Sequence, residues 1–444
     1  MSGMIDETHD PKRRSWIASA QGHPEFPIQN LPFGIFTPPG AITARGGVAI
    51  GDSILDLKAA LDAGLFAGEA EKAARAAIGT TLNPMMGLGK GPRIALRKRL
   101  SELLAEDSVD AKKAQSVPDL LHAAAQCTVH LPAAVGDYTD FYAGIHHAAS
   151  GGRRLRPNLP PLNPNYKYIP IAYHGRASSV RAPSLFEGAV RRPHGQYLRG
   201  GKEPPVFGVC EKLDFELEFG TWVGPGNALG ERIPMANAAD HIFGYCLLND
   251  WSARDIQRWE TVPLGPFLGK SFSTTVSPWI ITPEALAPFR IAQAPRPEGD
   301  PKPLPYLWDD ADQAHGALNI ELEALMLTEG LRARKLPPHR LTLSNTSHLY
   351  WTTAQMLAHH ACGGCNLQPG DLFGSGTISG PTPDSQGSLG EISESATKPF
   401  TLASGEQRTY LEDGDEIVLR AHARREGFVS IGFGESRGQI QPAR

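Results

Sequence analysis

Apolar positions along the chain recur at two periods, and the change between them outlines its organisation. In the first hundred residues, VAIGDSILDL (48–57) has the apolar run of strand-like structure, whereas GPRIALRKRLSELLAED (91–107) sets Leu96, Leu100, Leu103 and Leu104 on one helical face, with Pro92 in the first turn. The polar stretch 107–116 follows and is expected to be a linker. From about residue 120 the texture changes to many short strands, Gly-rich turns and clustered acids. YWTTAQMLAHHA (350–361) reads as a helix closed by the Gly-Gly of HHACGGCN. Residues 283–313 are Pro-rich and irregular, expected to form a long surface excursion. A chain of 444 residues exceeds one typical core, so two domains are expected, 1–120 and 121–444. With 47 glycines and 38 prolines, the reading is mainly β with some helices.

Composition then removes several function classes. A formal net charge of −4 gives no attraction for nucleic acid or membrane. No run approaches a membrane span, and MSGMIDETHD is acidic without the apolar centre of a signal peptide, so a cytoplasmic location is expected. Five cysteines, an odd number, argue against a disulfide framework. Cys362 and Cys365 form a CxxC with no second pair to complete a zinc site and no preceding strand to make a thioredoxin-like motif.

The strongest chemical signal is LDFELEF (213–219). Alternation places Phe215, Leu217 and Phe219 on one strand face and Asp214, Glu216 and Glu218 on the other, where they repel unless water or a cation lies against them. The pattern alone favours a solvated strand face. A second copy, NIELEALM (319–326), lacks acidic partners nearby, so Glu321 and Glu323 are read as solvent-facing. In HIFGYCLLNDWSARDIQRWE (241–260) an apolar strand runs into Asp250, which is expected to N-cap a helix carrying Arg254 and Gln257 one turn apart. GPFLGKSFSTT (265–275) leaves three residues between its glycines where a phosphate loop requires four, so nucleotide binding is rejected. In VGDYTDFYAGIHHAA (135–149), a helix capped by Asp137 would align Asp140 with His147, two turns on, and turn His146 about 100° away. A carboxylate ligand and a general base would then share one wall, with His146 structural.

At this point the chain resembles the fumarylacetoacetases, hydrolases of the last step of tyrosine and phenylalanine breakdown. The resemblance rests on the order of FPIQNLPFGIF, GVAIGDSILDL, GDYTDFY, YHGRASS, DFELEF, NDWSARDIQ, PLGPFLGKSFSTT and GDLFGSGTISGP over nearly the whole chain. It implies a small SH3-like β-barrel domain followed by a β-roll domain carrying the active site, in a homodimer. Asp140, Glu216, Glu218 and Asp250 would bind a catalytic Ca²⁺, an all-oxygen set suited to a hard cation. A structural Mg²⁺ would sit near Asp250, Thr274 and Lys270, the last through its carbonyl. His147 would be the general base, oriented by Glu391 of GSLGEISE. Arg254, Gln257 and Lys270 would stabilise the oxyanion, and Tyr142, Arg156, Gln257 and Thr377 would contact the substrate.

Three departures stand out. Thr261 replaces a family tyrosine after IQRWE, Ile145-His146-His147 replaces an Arg-Gln-His run, and GSLGE replaces GSMLE. Two other functions fit the acids: a metal-dependent decarboxylase or isomerase of 2-keto acids within the same superfamily, which needs no His147–Glu391 pair, and a non-enzymatic Ca²⁺-stabilised scaffold, which needs no base.

Overall fold

The computed structural model describes residues 4–183 and 189–444. The first unit is an antiparallel sheet in the order Leu121–Ala123, Ser53–Asp56, Arg45–Ile50, Phe33–Thr37, Thr128–His130. VAIGDSILDL is a hairpin: Gly51, at a φ of 54°, lets the chain reverse between two strands. Helix Gly68–Ala77 packs on this sheet and Lys90–Leu104 packs on that helix, burying Leu96, Leu100, Leu103 and Leu104 as its periodicity predicts. The expected linker is not one. Residues 111–115 form a helix that buries Ala111 and Ala114, and the sheet takes its two outer strands from beyond residue 120, so the first unit runs on to at least 130.

The second unit holds a seven-stranded and a five-stranded sheet. The seven run in the order Ala172–His174, Tyr138–Phe141, Leu372–Gly374, Leu217–Val223, Ile242–Asp250, Thr274–Val276, Val180–Arg181. The five run His339–Asn345, Ile320–Leu327, Glu416–Ala423, Ile431–Gln441, Val190–Arg191. Period-two alternation divides the central strands between two cores. Leu217, Phe219, Tyr245 and Leu247 join the large core shared with Leu322, Leu419 and Phe433. Trp222, Cys246, Leu248 and Leu372 face the first unit and share its core with Phe33, Val48 and Leu100. Arg93, on the helix of the first unit, reaches across this boundary to a bidentate pair with Glu284 at 2.9 and 2.8 Å, both side chains buried.

Other expectations divide. The Gly-Gly after Cys362 does end the helix Thr353–Ala361, with Gly364 at a φ of 87° and its N–H on the Ala361 carbonyl. The Pro-rich segment is only partly a surface excursion. Glu284 to Phe289 are buried, and residues 293–300 form one wall of a cavity of about 940 Å³. Among the described residues no helix is long and apolar enough to cross a membrane.

Candidate active site

The four acids are brought together by adjacent strands of the seven-stranded sheet. Asp140 lies on Tyr138–Phe141, Glu218 on Leu217–Val223, and Asp250 ends Ile242–Asp250. Glu216 occupies the break between Leu213–Asp214 and Leu217–Val223, its N–H held by the Asn249 side chain at 3.0 Å. Gly374 stands between, paired with Asp140 in the parallel register. A Cβ there would lie 2.8 Å from Glu218 Oε2 and 2.9 Å from Asp140 Oδ1, so only glycine lets the carboxylates converge. One oxygen from each of Asp140, Glu216, Glu218 and Asp250 lies within 4.8 Å of the others. All four are buried, the most exposed at 4%. DFELEF is therefore not a solvated face, whereas Glu321 of the second copy is half-exposed and paired with Arg424.

Cations meet part of this charge. Lys270 Nζ is 2.8 Å from Glu216 and 2.9 Å from Asp250, and Arg254 bridges Glu216 and Asp214, each at 2.8 Å. Burial pushes the Glu216 carboxyl up, but Lys270 and then Arg254 overcome it and hold the group below its ordinary range. The other side of the cluster is the reverse. Burial, reinforced by neighbouring carboxylates, pushes Asp140 and Glu218 well above the usual range. Asp140 Oδ1 and Glu218 Oε1 are buried with no hydrogen-bond partner among the described residues. Unpartnered buried carboxylate oxygens in an all-oxygen set fit a hard divalent cation, and among the described residues the set of converging ligands includes no thiol or imidazole to favour zinc.

Asp140 and His147 do not share a helix, as the spacing had suggested. YTDF pairs with strands on both sides and is extended, and the helix Ile145–Leu155 begins only after Gly144. Strand pairing overrides the helical spacing here, yet Glu391, which His147 meets, is tied through Asp214 and Arg254 to Glu216 of the acid cluster. His147 Nδ1 is 2.7 Å from Glu391 Oε2, which also accepts from Ser379 at 2.8 Å and Ser388 at 3.1 Å. Glu391 sits on the short helix Leu389–Ile392, whose backbone N–H groups at Leu389 and Gly390 donate to Asp214. Asp214 thereby ties the Glu391 helix to Arg254, which donates to Gln257 at 3.1 Å. Asp250 does not cap the helix Arg254–Glu260. Two residues of strand, Ser252–Ala253, intervene, Ala253 takes the cap position, and the Asp250 carboxylate is used by Lys270, Thr274 and Tyr173.

Tyr142 packs edge-on against His147 with centroids 5.8 Å apart. Thr377 is buried with its hydroxyl unpartnered. Arg156 is not brought to the cluster: its guanidinium donates to Asn163 and the Pro161 carbonyl. His146 turns to His348, centroids 5.6 Å apart, away from the acids as its helix position requires. Sequence reasoning missed Asp214 as a tether and Tyr173, whose hydroxyl is 2.9 Å from Asp250 although it opens the YHGRASS motif. The 940 Å³ cavity is lined by Glu391, His146, Arg296 and Tyr350 but by none of the four acids, so it meets the site only at the dyad's carboxylate.

Residues 29–132 match the family model described as Fumarylacetoacetase N-terminal, and residues 138–441 match Fumarylacetoacetate (FAA) hydrolase C-terminal. The chain belongs to the fumarylacetoacetase family. It is an enzyme, a hydrolase acting on a small molecule. Fumarylacetoacetases of Bos taurus and Homo sapiens are each 45% identical to it over 426 residues, covering 94% of this chain and 97% of theirs. That of Arabidopsis thaliana is 46% identical, covering 94% and 96%. The fold is shared with a putative HpcE protein from Mycobacterium smegmatis, at a TM-score of 0.50 and 18% identity over 92% of this chain and 99% of that one. The two family segments meet between residues 132 and 138, just after the first sheet ends at His130.

Proposed function

We propose that the chain hydrolyses the carbon–carbon bond of fumarylacetoacetate to fumarate and acetoacetate, the last step of tyrosine and phenylalanine catabolism, in the cytoplasm. The observation that carries this reading is the His147–Glu391 pair at 2.7 Å, set beside four buried carboxylates. With Nδ1–H donated to Glu391, His147 Nε2 is the acceptor, and it takes a proton from water as that water attacks the ketone carbonyl. Arg254, Gln257 and Lys270 line the side where the oxyanion develops, and two of them are charged and already fixed by Asp214, Glu216 and Asp250. The bond then breaks and the acetoacetate part leaves as an enolate. Asp140, Glu216, Glu218 and Asp250 would hold Ca²⁺, which as a Lewis acid supplies charge stabilisation for that enolate.

Tyr142 and Thr377 are the substrate contacts best placed for this reaction, and Arg156 would have to leave Asn163 to reach a substrate carboxylate. Thr261 bonds back to the Gln257 carbonyl at 2.5 Å and so closes the helix rather than extending toward the substrate as a tyrosine would. A structural Mg²⁺ at Asp250, Thr274 and the Lys270 carbonyl competes with the Lys270 ammonium, which already places positive charge on Asp250. The homodimer finds support in Trp259, Val262, Leu264, Phe267 and Leu268, large apolar side chains exposed within ten residues. Their loop is held in place by Glu260, which accepts the N–H groups of Phe267, Leu268 and Gly269. Loss of the diketone absorbance of fumarylacetoacetate, catalysed by the purified protein, stopped by chelator and restored by Ca²⁺, is the expected result. An unchanged absorbance with metal-loaded protein overturns the reading.

A further inference from the structure

Tyr138 is buried at 2% exposure, yet its hydroxyl has no hydrogen-bond partner among the described residues. Buried polar groups without partners are uncommon, and each marks a place where a partner arrives or a cost is accepted. Its position is tightly imposed. The ring lies on Gly175, where a Cβ would come within 2.3 Å of it, so the glycine leaves the ring its room. The strand carries Tyr138 and Asp140 on one face, two residues apart. Tyr138 hydroxyl, Asp140 Oδ1 and Glu218 Oε2 all lie within 3.0 Å of the point that a Cβ of Gly374 would fill.

The other acids of the cluster already have outer partners. Asp250 is held by Tyr173, Thr274 and Lys270, Glu216 by Ser252, Arg254 and Lys270, and Glu218 Oε2 by the Gly376 N–H. Asp140 Oδ1 has none. Carboxylates that hold a cation need such partners on the lone pairs that do not face it, because these fix the orientation of the group.

We propose that Tyr138 is a positioning residue of the acid cluster, its hydroxyl donating to Asp140 Oδ1 when a divalent cation draws the four carboxylates together. A phenol is protonated at neutral pH and is a donor there. The role parallels that of Tyr173 on Asp250. It rests on the reading that the cluster holds a divalent cation.

The test is calorimetric titration of chelator-stripped protein with Ca²⁺, for the unmodified chain and for Tyr138→Phe, with thermal melts of both stripped proteins. The expected result is a dissociation constant raised about 10- to 100-fold in the variant, the usual scale for a lost outer partner. The stripped variant should melt at the same temperature or higher, since removing an unsatisfied buried hydroxyl costs nothing without the cation. Equal affinity in the two proteins overturns the role of Tyr138 while leaving the cation site intact. A lowered melting temperature in the stripped variant makes the hydroxyl a structural contact and overturns it too. If the unmodified chain binds no Ca²⁺, the cation reading itself fails, and Tyr138 with it.

Discussion

Glu391→Gln removes the negative charge behind His147 and leaves the shape of the side chain. Burial pushes the Glu391 carboxyl up, but the charge and hydrogen bond of His147, with help from Ser379, hold it at about 2 against an ordinary 4.5. The surroundings therefore favour its charged form by on the order of 3 kcal/mol. His147 supplies only part of this, so the support lost to the imidazolium that forms during attack is about 1–3 kcal/mol, or roughly 10- to 100-fold in kcat. His147→Ala removes the base itself and should cost roughly 10²-fold or more. The order of the two variants, His147→Ala the more damaged, is the point at issue. Steady-state kinetics on both, with metal content and melting temperature measured alongside, checks it. A folded, metal-loaded Glu391→Gln protein with kcat within twofold of the unmodified chain refutes the dyad, as does one more damaged than His147→Ala.

The remaining predictions are simpler. Glu216→Ala and Glu218→Ala should abolish turnover and lower bound Ca²⁺, whereas Glu321→Ala removes only a half-exposed pair with Arg424 and should change neither, by activity and metal analysis. His146→Ala should leave kcat near normal, because the ring faces His348 and not the acids. Folded Glu391 is held below an unfolded carboxyl, so its contribution to stability is complete above about pH 4.5 and lost as pH falls toward 2; the stability deficit of Glu391→Gln, followed by denaturant melts, should shrink across that window. Glu284→Ala strands Arg93 in the boundary between the two units and should cost about 3–5 kcal/mol in the same melts.

How far the site was legible in the sequence follows from what kind of signal each residue carries. Glu216 and Glu218 announce themselves, because alternation puts two acids on one face beside a strand that ends in another. Asp214 has the same signature and a different job, since only the fold shows that it caps Leu389–Ile392 and grips Arg254. The pairing of Asp140 with His147 rests on a periodicity that counts a helix where two neighbouring strands hold YTDF extended. The same non-local pairing recruits Leu121–Ala123 and Thr128–His130 into the first sheet and moves its end past the polar stretch taken for a linker. Tyr138, Tyr173 and Gly374 act across strands distant in sequence, and no spacing rule reaches them.

Hydrolysis is tested most directly by where the oxygen of water goes. Fumarylacetoacetate is turned over in heavy-oxygen water by the Ca²⁺-loaded protein, and the products are weighed by mass spectrometry. Attack of His147-activated water at the ketone predicts one new labelled oxygen in the carboxylate of fumarate, with acetoacetate released in equal amount. Consumption of the substrate with release of carbon dioxide, or its conversion to an isomer of the same mass with no labelled fumarate, contradicts the account.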